Sequence, residues 1–211
     1  DKFHDNYESM YRITSDLTEL NVNAAVTSAP LAPTFKRGLP EIKNVVRVHG
    51  SNMQLLQVGE RMFEEKLIFY ADSNFLQFFS FPLLKGDQKT ALLQPESIVI
   101  SEAMAKKYFG DEEPIGKVIR KDHQDDFTVT GVLANVPENS HLQFDCLIPM
   151  SNRARWDGDL IKNVWDSFNF YTYVQLDKNA TSPEALKALA GKFQRIYKAN
   201  EPKLKVDFTL Q

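Results

Sequence analysis

Residues 168–176, FNFYTYVQL, alternate at every position: Phe168, Phe170, Thr172 and Val174 fall on one side, and Asn169, Tyr171, Tyr173 and Gln175 on the other. That two-residue period predicts a strand with one face in a core. From Ser182 the period lengthens. Leu186, Leu189, Ala190, Phe193, Ile196 and Tyr197 recur as on one face of a helix reaching Asn200, with Ser182 at the N-cap, Pro183 at the first helical position and Pro202 beyond the end. KVDFTLQ then reads as a last strand. The other end of the chain has a related order. Tyr11 to Ser28 is rich in Thr, Val, Ile and Asn, Pro30 and Pro33 punctuate a segment ending at Gly38 and Pro40, and NVVRVHG follows, so the prediction is strand, short helix, strand. Before it, Phe3, Tyr7, Met10 and Tyr11 lie at helical spacing, which predicts the tail of a helix entering from upstream.

The middle of the chain is denser in short apolar runs. MQLLQVG and KLIFYAD predict two strands, with Gly59 and a charged stretch as the turn of a hairpin. In DSNFLQFFSFPLLKGD, Phe75, Phe78 and Phe79 share one helical face directed at a core, Asp72 or Ser73 can cap the helix, and Pro82 stops it. SIVIS, Ser97 to Ser101, predicts a buried strand whose last serine caps the helix EAMAKKYF. GKVIRKD and DFTVTGVLANV predict two further strands joined by the polar turn HQDD, and another strand is expected between Pro137 and Pro149 before a polar connector that contains Trp156.

One stretch imitates a chemical motif. YFGDEEPIGK, Tyr108 to Lys117, has the glycines and lysine of a phosphate-binding loop, but five residues separate Gly110 from Gly116 where that loop has four. Val118 has no hydroxyl for a metal, and Asp111, Glu112 and Glu113 would repel phosphate. The simpler reading is a helix exit, with Gly110 in the left-handed region and Pro114 preventing resumption. Other chemistry is equally thin. His4, His49, His123 and His141 are scattered, and Asp122, His123, Asp125 and Asp126 read as a solvated turn more than as oxygen ligands for a cation. Cys146 alternates with Phe144 and Ile148 and reads as a small buried strand residue. No catalytic, cofactor-binding or metal-binding residue is nominated, and no partner-binding residue can be named.

Composition narrows the classes. A chain of 211 residues with 43% hydrophobic content can bury a substantial core, and a formal net charge of -3 with interspersed signs gives no footprint for nucleic acid. The longest apolar run, Leu67 to Ala71, is far short of the ~20 residues that cross a bilayer. The chain begins at Asp1 without a methionine or an apolar leader, which suggests processing or excision from something longer.

Three blocks in order, ADSNFLQFFSFPLLKGD, SIVISEAMAKKYFGDEEPIGKVI and FTVTGVLANVPENSH, resemble the periplasmic core domain of MacB-type ABC transporter permeases, a group that includes FtsX-like permeases. The flanks DKFHDNYESMYRIT and SAPLAPTFKRGLPEIKNVVRV resemble that family's segment after its first membrane helix, and the likeness fades between Asn152 and Asn163. The resemblance implies a mixed α+β fold of two lobes: a porter-like lobe from residues 1–60 and 160–211, and an inserted, mostly β, sabre-like lobe from 61–159. It implies a non-enzymatic extracytoplasmic domain that relays ATP-driven movement, known as mechanotransmission, to periplasmic partners or efflux cargo. It implies tethering at both ends to the inner membrane of a bacterium, a cytoplasmic ATPase that alone binds ATP, a second permease copy and a periplasmic adaptor. The competing reading is a periplasmic ligand-binding sensor domain of a membrane receptor, which requires a pocket with convergent polar groups.

Overall fold

The computed structural model describes residues 4–17 and 22–211, and the chain divides into two compact units. A terminal unit contains residues 6–47 and 157–211; a middle unit contains residues 48–156 together with His4 and Asp5. The terminal unit opens with a 3-10 turn (Tyr7–Ser9) and continues through β1 (Met10–Leu17), β2 (Val22–Ala24), β3 (Thr27–Ser28), α1 (Leu31–Gly38) and most of β4 (Ile42–Gly50). The middle unit holds the last residues of β4, then β5 (Gln54–Val58), β6 (Arg61–Glu65), β7 (Ile68–Ala71), α2 (Phe75–Phe78), β8 (Leu83–Gly86), β9 (Ser97–Ser101), α3 (Glu102–Phe109), β10 (Val118–Lys121), β11 (Asp125–Leu133), β12 (Cys146–Pro149) and α4 (Met150–Arg153). The terminal unit resumes with α5 (Gly158–Asn163), β13 (Phe168–Leu176), α6 (Pro183–Asn200) and β14 (Asp207–Leu210).

In the terminal unit the strand order is β14-β1-β13-β4, with β2 paired to β1 and β3 to β13. The helices α1 and α6 cover a core in which Phe35 and Phe193 stack at 4.1 Å and Phe208 stands edge-on to both. The alternation in FNFYTYVQL buries Phe170, Thr172 and Val174 as expected, and Tyr173 is buried on the other face as well. Ser182 caps α6, its hydroxyl accepting from the Ala185 amide at 3.2 Å. Both clear sequence signals therefore give the predicted elements.

The middle unit is a mixed sheet in the order β4-β7-β12-β9-β11-β10-β5-β6, with β8 also against β11. The pairs β7/β12 and β9/β11 are parallel and the others antiparallel. Parallel neighbours need a long crossover, and α3 lies within the connection from β9 to β11. Ser101 caps α3 by accepting from Met104, and Gly110 (φ 65) closes it with its amide on the Lys106 carbonyl. The phenylalanine face expected at 75–79 is core: Phe75, Phe79, Phe81 and Phe144 meet with ring centroids 4.9 to 6.0 Å apart.

Several local expectations are corrected. Met10 and Tyr11 begin β1, so the helical spacing near the start gives only the short turn at Tyr7–Ser9, and Phe3 lies outside the described residues. The charged stretch after Gly59 is itself strand β6. Val58 pairs with Arg61, leaving a two-residue turn at Gly59 (φ 57) and Glu60, and Phe63 and Glu65 alternate inward. Asn74, not Asp72 or Ser73, precedes α2, with no side-chain cap; one turn held by surrounding rings ends before Pro82 acts. The strand expected from Pro137 is confined to β12, and the polar connector contains the short helices α4 and α5. In each case tertiary packing overrode a weak local preference.

Candidate functional site

The acidic residues weighed for chemistry each face a nearby cation. In the turn after α3, Asp111 pairs with Lys106, Glu112 with Lys117 at 2.9 Å and Glu113 with Lys85 at 2.6 Å. These hydrogen bonds hold all three carboxyl groups below the usual carboxylate range, and Gly116 (φ 81) donates its amide to Val129. The segment is a stapled surface turn. The HQDD turn resolves the same way. Asp122 (φ 49) accepts from the Leu55 amide and from Lys121, Asp125 lies 3.5 Å from Lys121, and Asp126 accepts two bonds from the Arg120 guanidinium. Asp122 and Asp125 thus share the Lys121 ammonium and Asp126 faces Arg120, so the acids of the turn are spent on two cations of β10. Among the described residues, no group of three or more His, Cys, Asp or Glu could hold a metal ion.

Cys146 is wholly buried on β12, and burial, reinforced by Glu65 and Asp145, pushes its thiol far up, which leaves it inert as a nucleophile. His4 is buried against Phe79 and Phe81 and accepts the Ser80 amide at 3.1 Å; burial lowers its pKa to about 4, so it is neutral. His49 lines an open polar cavity of about 440 Å³ with Asn52, Gln54, Tyr70 and Arg153.

The sequence reading missed one buried polar cluster. Glu65, at the inward end of β6, accepts from Lys107 at 2.7 Å and from the Tyr108 hydroxyl at 2.8 Å, while Arg61 donates to the Tyr108 carbonyl at 2.7 Å. Lys107 also lies over the Phe63 ring at 4.3 Å. Helix α3 is thereby tied to the β5–β6 hairpin by a satisfied ionic contact and a ring contact. The available signal was the alternation within RMFEE, obscured because one inward position is a glutamate.

Within the terminal unit, β1 and β14 meet at one end. Antiparallel pairing sets Ile13 opposite Leu210 and Asp16 opposite Asp207, and beyond the strand Arg12 and Gln211 exchange both backbone hydrogen bonds at 2.8 and 2.9 Å. The Arg12 guanidinium also donates to the Gln211 side chain at 3.0 Å. The start of β1 and the end of β14 thus share one end of a paired ladder. A force applied to either strand there passes directly into the other. At the opposite end of β14, the exit of α6 and the loop 202–206 enclose a groove of about 430 Å³.

The MacB-like periplasmic core domain family matches residues 1–192. The chain belongs to that family. Three solved structures share the fold. A domain described as that of a permease protein from Porphyromonas gingivalis superposes with a TM-score of 0.81 at 22% identity, covering 99% of this chain and 92% of the other. The periplasmic region of MacB from Actinobacillus actinomycetemcomitans gives 0.69 at 18% identity, covering 96% and 88%. The extracellular domain of the ABC-type transporter YknZ from Gram-positive bacteria gives 0.67 at 18% identity, covering 96% and 99%. No curated protein matches the chain by sequence.

As a MacB-like periplasmic core domain, the chain is a non-catalytic, transporter-associated periplasmic module with a mixed α/β fold. Its family ties it to a membrane permease of an inner-membrane ABC transporter and, through that permease, to a cytoplasmic ABC ATPase. No helix of the described residues is long and apolar enough to cross a membrane.

Proposed function

We propose that this MacB-like domain relays ATP-driven conformational change from bacterial inner-membrane helices to periplasmic partners or cargo. In this reading one membrane span leads into β1 and further spans follow β14, and the domain works beside a second permease copy and a periplasmic adaptor. The observation that carries it is the Arg12–Gln211 pairing: two strands joined at one end by a double hydrogen bond form a stiff attachment for two adjacent membrane helices. The lobes are assigned as a porter-like lobe from both chain ends and an inserted second lobe. Support comes from the terminal unit being built from residues 6–47 and 157–211, with 48–156 lying between them in sequence. The ion-paired turns and the Glu65–Lys107–Tyr108 cluster add the rigidity that a relay needs.

The test uses the full transporter in proteoliposomes with a spin label at Asp111→Cys, a position in the exposed turn after α3. Native Cys146 is buried and stays unlabelled. The label-to-label distance between the two permease copies is expected to shift between the nucleotide-free and ATP-trapped states. A distribution that stays fixed while transport proceeds would refute the relay.

A further inference from the structure

The groove between the end of α6 and the loop 202–206 has a cationic rim over a partly apolar floor. Arg195, Lys198, Lys203 and Lys205 stand at its edge, and Tyr197 and Val206 are buried beneath it. Around the turn after α3, by contrast, Lys85, Lys106 and Lys117 are each drawn into an ion pair. None of the four rim cations has an ion-pair partner among the described residues. The two acids closest in sequence are already engaged: Glu201 accepts the Lys203 amide at 3.1 Å, and Asp207 accepts from Gln194. The carboxyl end of a helix favours a nearby cation, which accounts for Lys198. It does not account for Lys203 and Lys205, which lie beyond the helix on the far wall.

We infer that this groove docks an acidic, partly apolar segment of another periplasmic protein. An inorganic anion would leave the Tyr197–Val206 floor unused, whereas a short peptide with alternating acidic and apolar side chains meets both rim and floor. The volume falls within the range of small-ligand and peptide sites, ~300–1,000 Å³. Position argues against lipid headgroups, and this step rests on the relay reading with its membrane attachment at the Arg12–Gln211 end. The groove adjoins Asp207, at the other end of β14, four residues or roughly 13 Å along the strand at ~3.3 Å per residue. That exceeds the screening length of ~8 Å at physiological ionic strength.

The test measures fluorescence anisotropy of a labelled hexapeptide, Glu-Leu-Glu-Glu-Leu-Glu with blocked ends, titrated with the 211-residue chain at low and high salt. Saturable binding that weakens with salt is expected, with a loss of about ten-fold or more in Lys198→Glu/Lys203→Glu and little change in the charge-matched control Lys178→Glu/Lys187→Glu. Circular dichroism checks folding, and Arg195→Gln/Lys205→Gln supplies a second groove variant should the first misfold. Absence of binding, or equal loss in groove and control variants, overturns the proposal. Binding to anionic phosphatidylglycerol vesicles through the same lysines, without peptide binding, also overturns it by making the occupant a lipid. The Asp111 label movement does not involve the groove, so a negative peptide result with intact ATP-dependent movement removes the docking site alone. Peptide binding without that movement removes the relay alone.

Discussion

Replacing Thr209 with proline tests whether the β1–β14 ladder is the mechanical attachment. Arg12 and Gln211 form a doubly bonded pair, and such pairs recur at every second position of an antiparallel ladder, so Thr14 and Thr209 are the next bonded pair and Ile13 and Leu210 a non-bonded one. Proline at 209 removes an amide that points at β1 and leaves the Thr14 carbonyl without its donor. A lost bond of ~1 kcal/mol plus an orphaned acceptor of ~1–2 kcal/mol gives a cost of about 2–3 kcal/mol. Proline at 210 loses an amide facing outward, because β14 ends the strand order; its cost should match that of Leu210→Ala, about 1 kcal/mol for a half-buried leucine. Urea unfolding followed by tryptophan fluorescence can separate them. Trp165 packs on Tyr197 at 5.9 Å and Tyr197 on Phe208 of β14 at 5.5 Å, while Trp156, 70% exposed, can be removed as Trp156→Phe. In the full transporter, Thr209→Pro is expected to retain ATP hydrolysis and lose transport, with Leu210→Pro near normal in both. Equal costs at 209 and 210, or undiminished transport by Thr209→Pro, would refute the reasoning.

Three further outcomes are expected. Gly86→Ala places a Cβ 2.4 Å from the Thr130 carbonyl oxygen at φ 96 and should cost about 3 kcal/mol or more, whereas Gly110→Ala, at φ 65 with nothing within 4 Å, should cost only about 1–2 kcal/mol of backbone strain; thermal melts rank them. His4 has a folded pKa of about 4, below its unfolded value, so the native state binds fewer protons and its stabilising effect, present above pH ~6.5, is lost as pH falls toward 4; the urea midpoint should drop more from pH 7.5 to 5 in the native sequence than in His4→Asn. Tyr108→Phe removes one of the two side-chain donors to buried Glu65 and should cost about 1–2 kcal/mol, and adding Glu65→Leu should recover part of that loss, because the carboxylate left short of a donor is gone; a double-mutant cycle by denaturation reads both.

What was legible in the sequence depended on how many local signals agreed. Ser182, Pro183 and the apolar period to Tyr197 all specify α6, and Ser101 and Gly110 bracket α3, so both helices appear with their caps where expected. Strand β6 was hidden because Glu65 occupies an inward position, and a buried carboxylate becomes acceptable only when Lys107 and Tyr108 arrive from a helix more than forty residues away. Helix α2 was legible from the spacing of Phe75, Phe78 and Phe79, but not its lack of a cap: its one turn is held where Phe75 closes on Phe144, a contact that no window of nearby residues reveals. The groove has the same origin: Lys198 lies on a helix, Lys203 and Lys205 on a loop, and only the turn at Pro202 sets them around one space.

The distribution of charge suits a relay better than a catalyst. A general acid or base needs a carboxylate or imidazole with unspent hydrogen-bonding capacity near a substrate, and a nucleophile needs to be ionised in reach of solvent. Here the acids that sequence alone could have nominated, Asp111, Glu112, Glu113, Asp122 and Asp126, are bound to neighbouring cations that hold turns closed, the thiol of Cys146 is sealed in a strand, and His4 is kept neutral among phenylalanines. Each pairing fixes a loop to the strand or helix beside it, and in exposed positions each adds little to global stability. Their collective effect is on local motion, because a turn held at both ends moves with the element that bears it. Four cations without ion-pair partners among the described residues, Arg195, Lys198, Lys203 and Lys205, rim a groove at the end of the ladder away from Gln211, where a domain driven from its chain ends would meet whatever it moves.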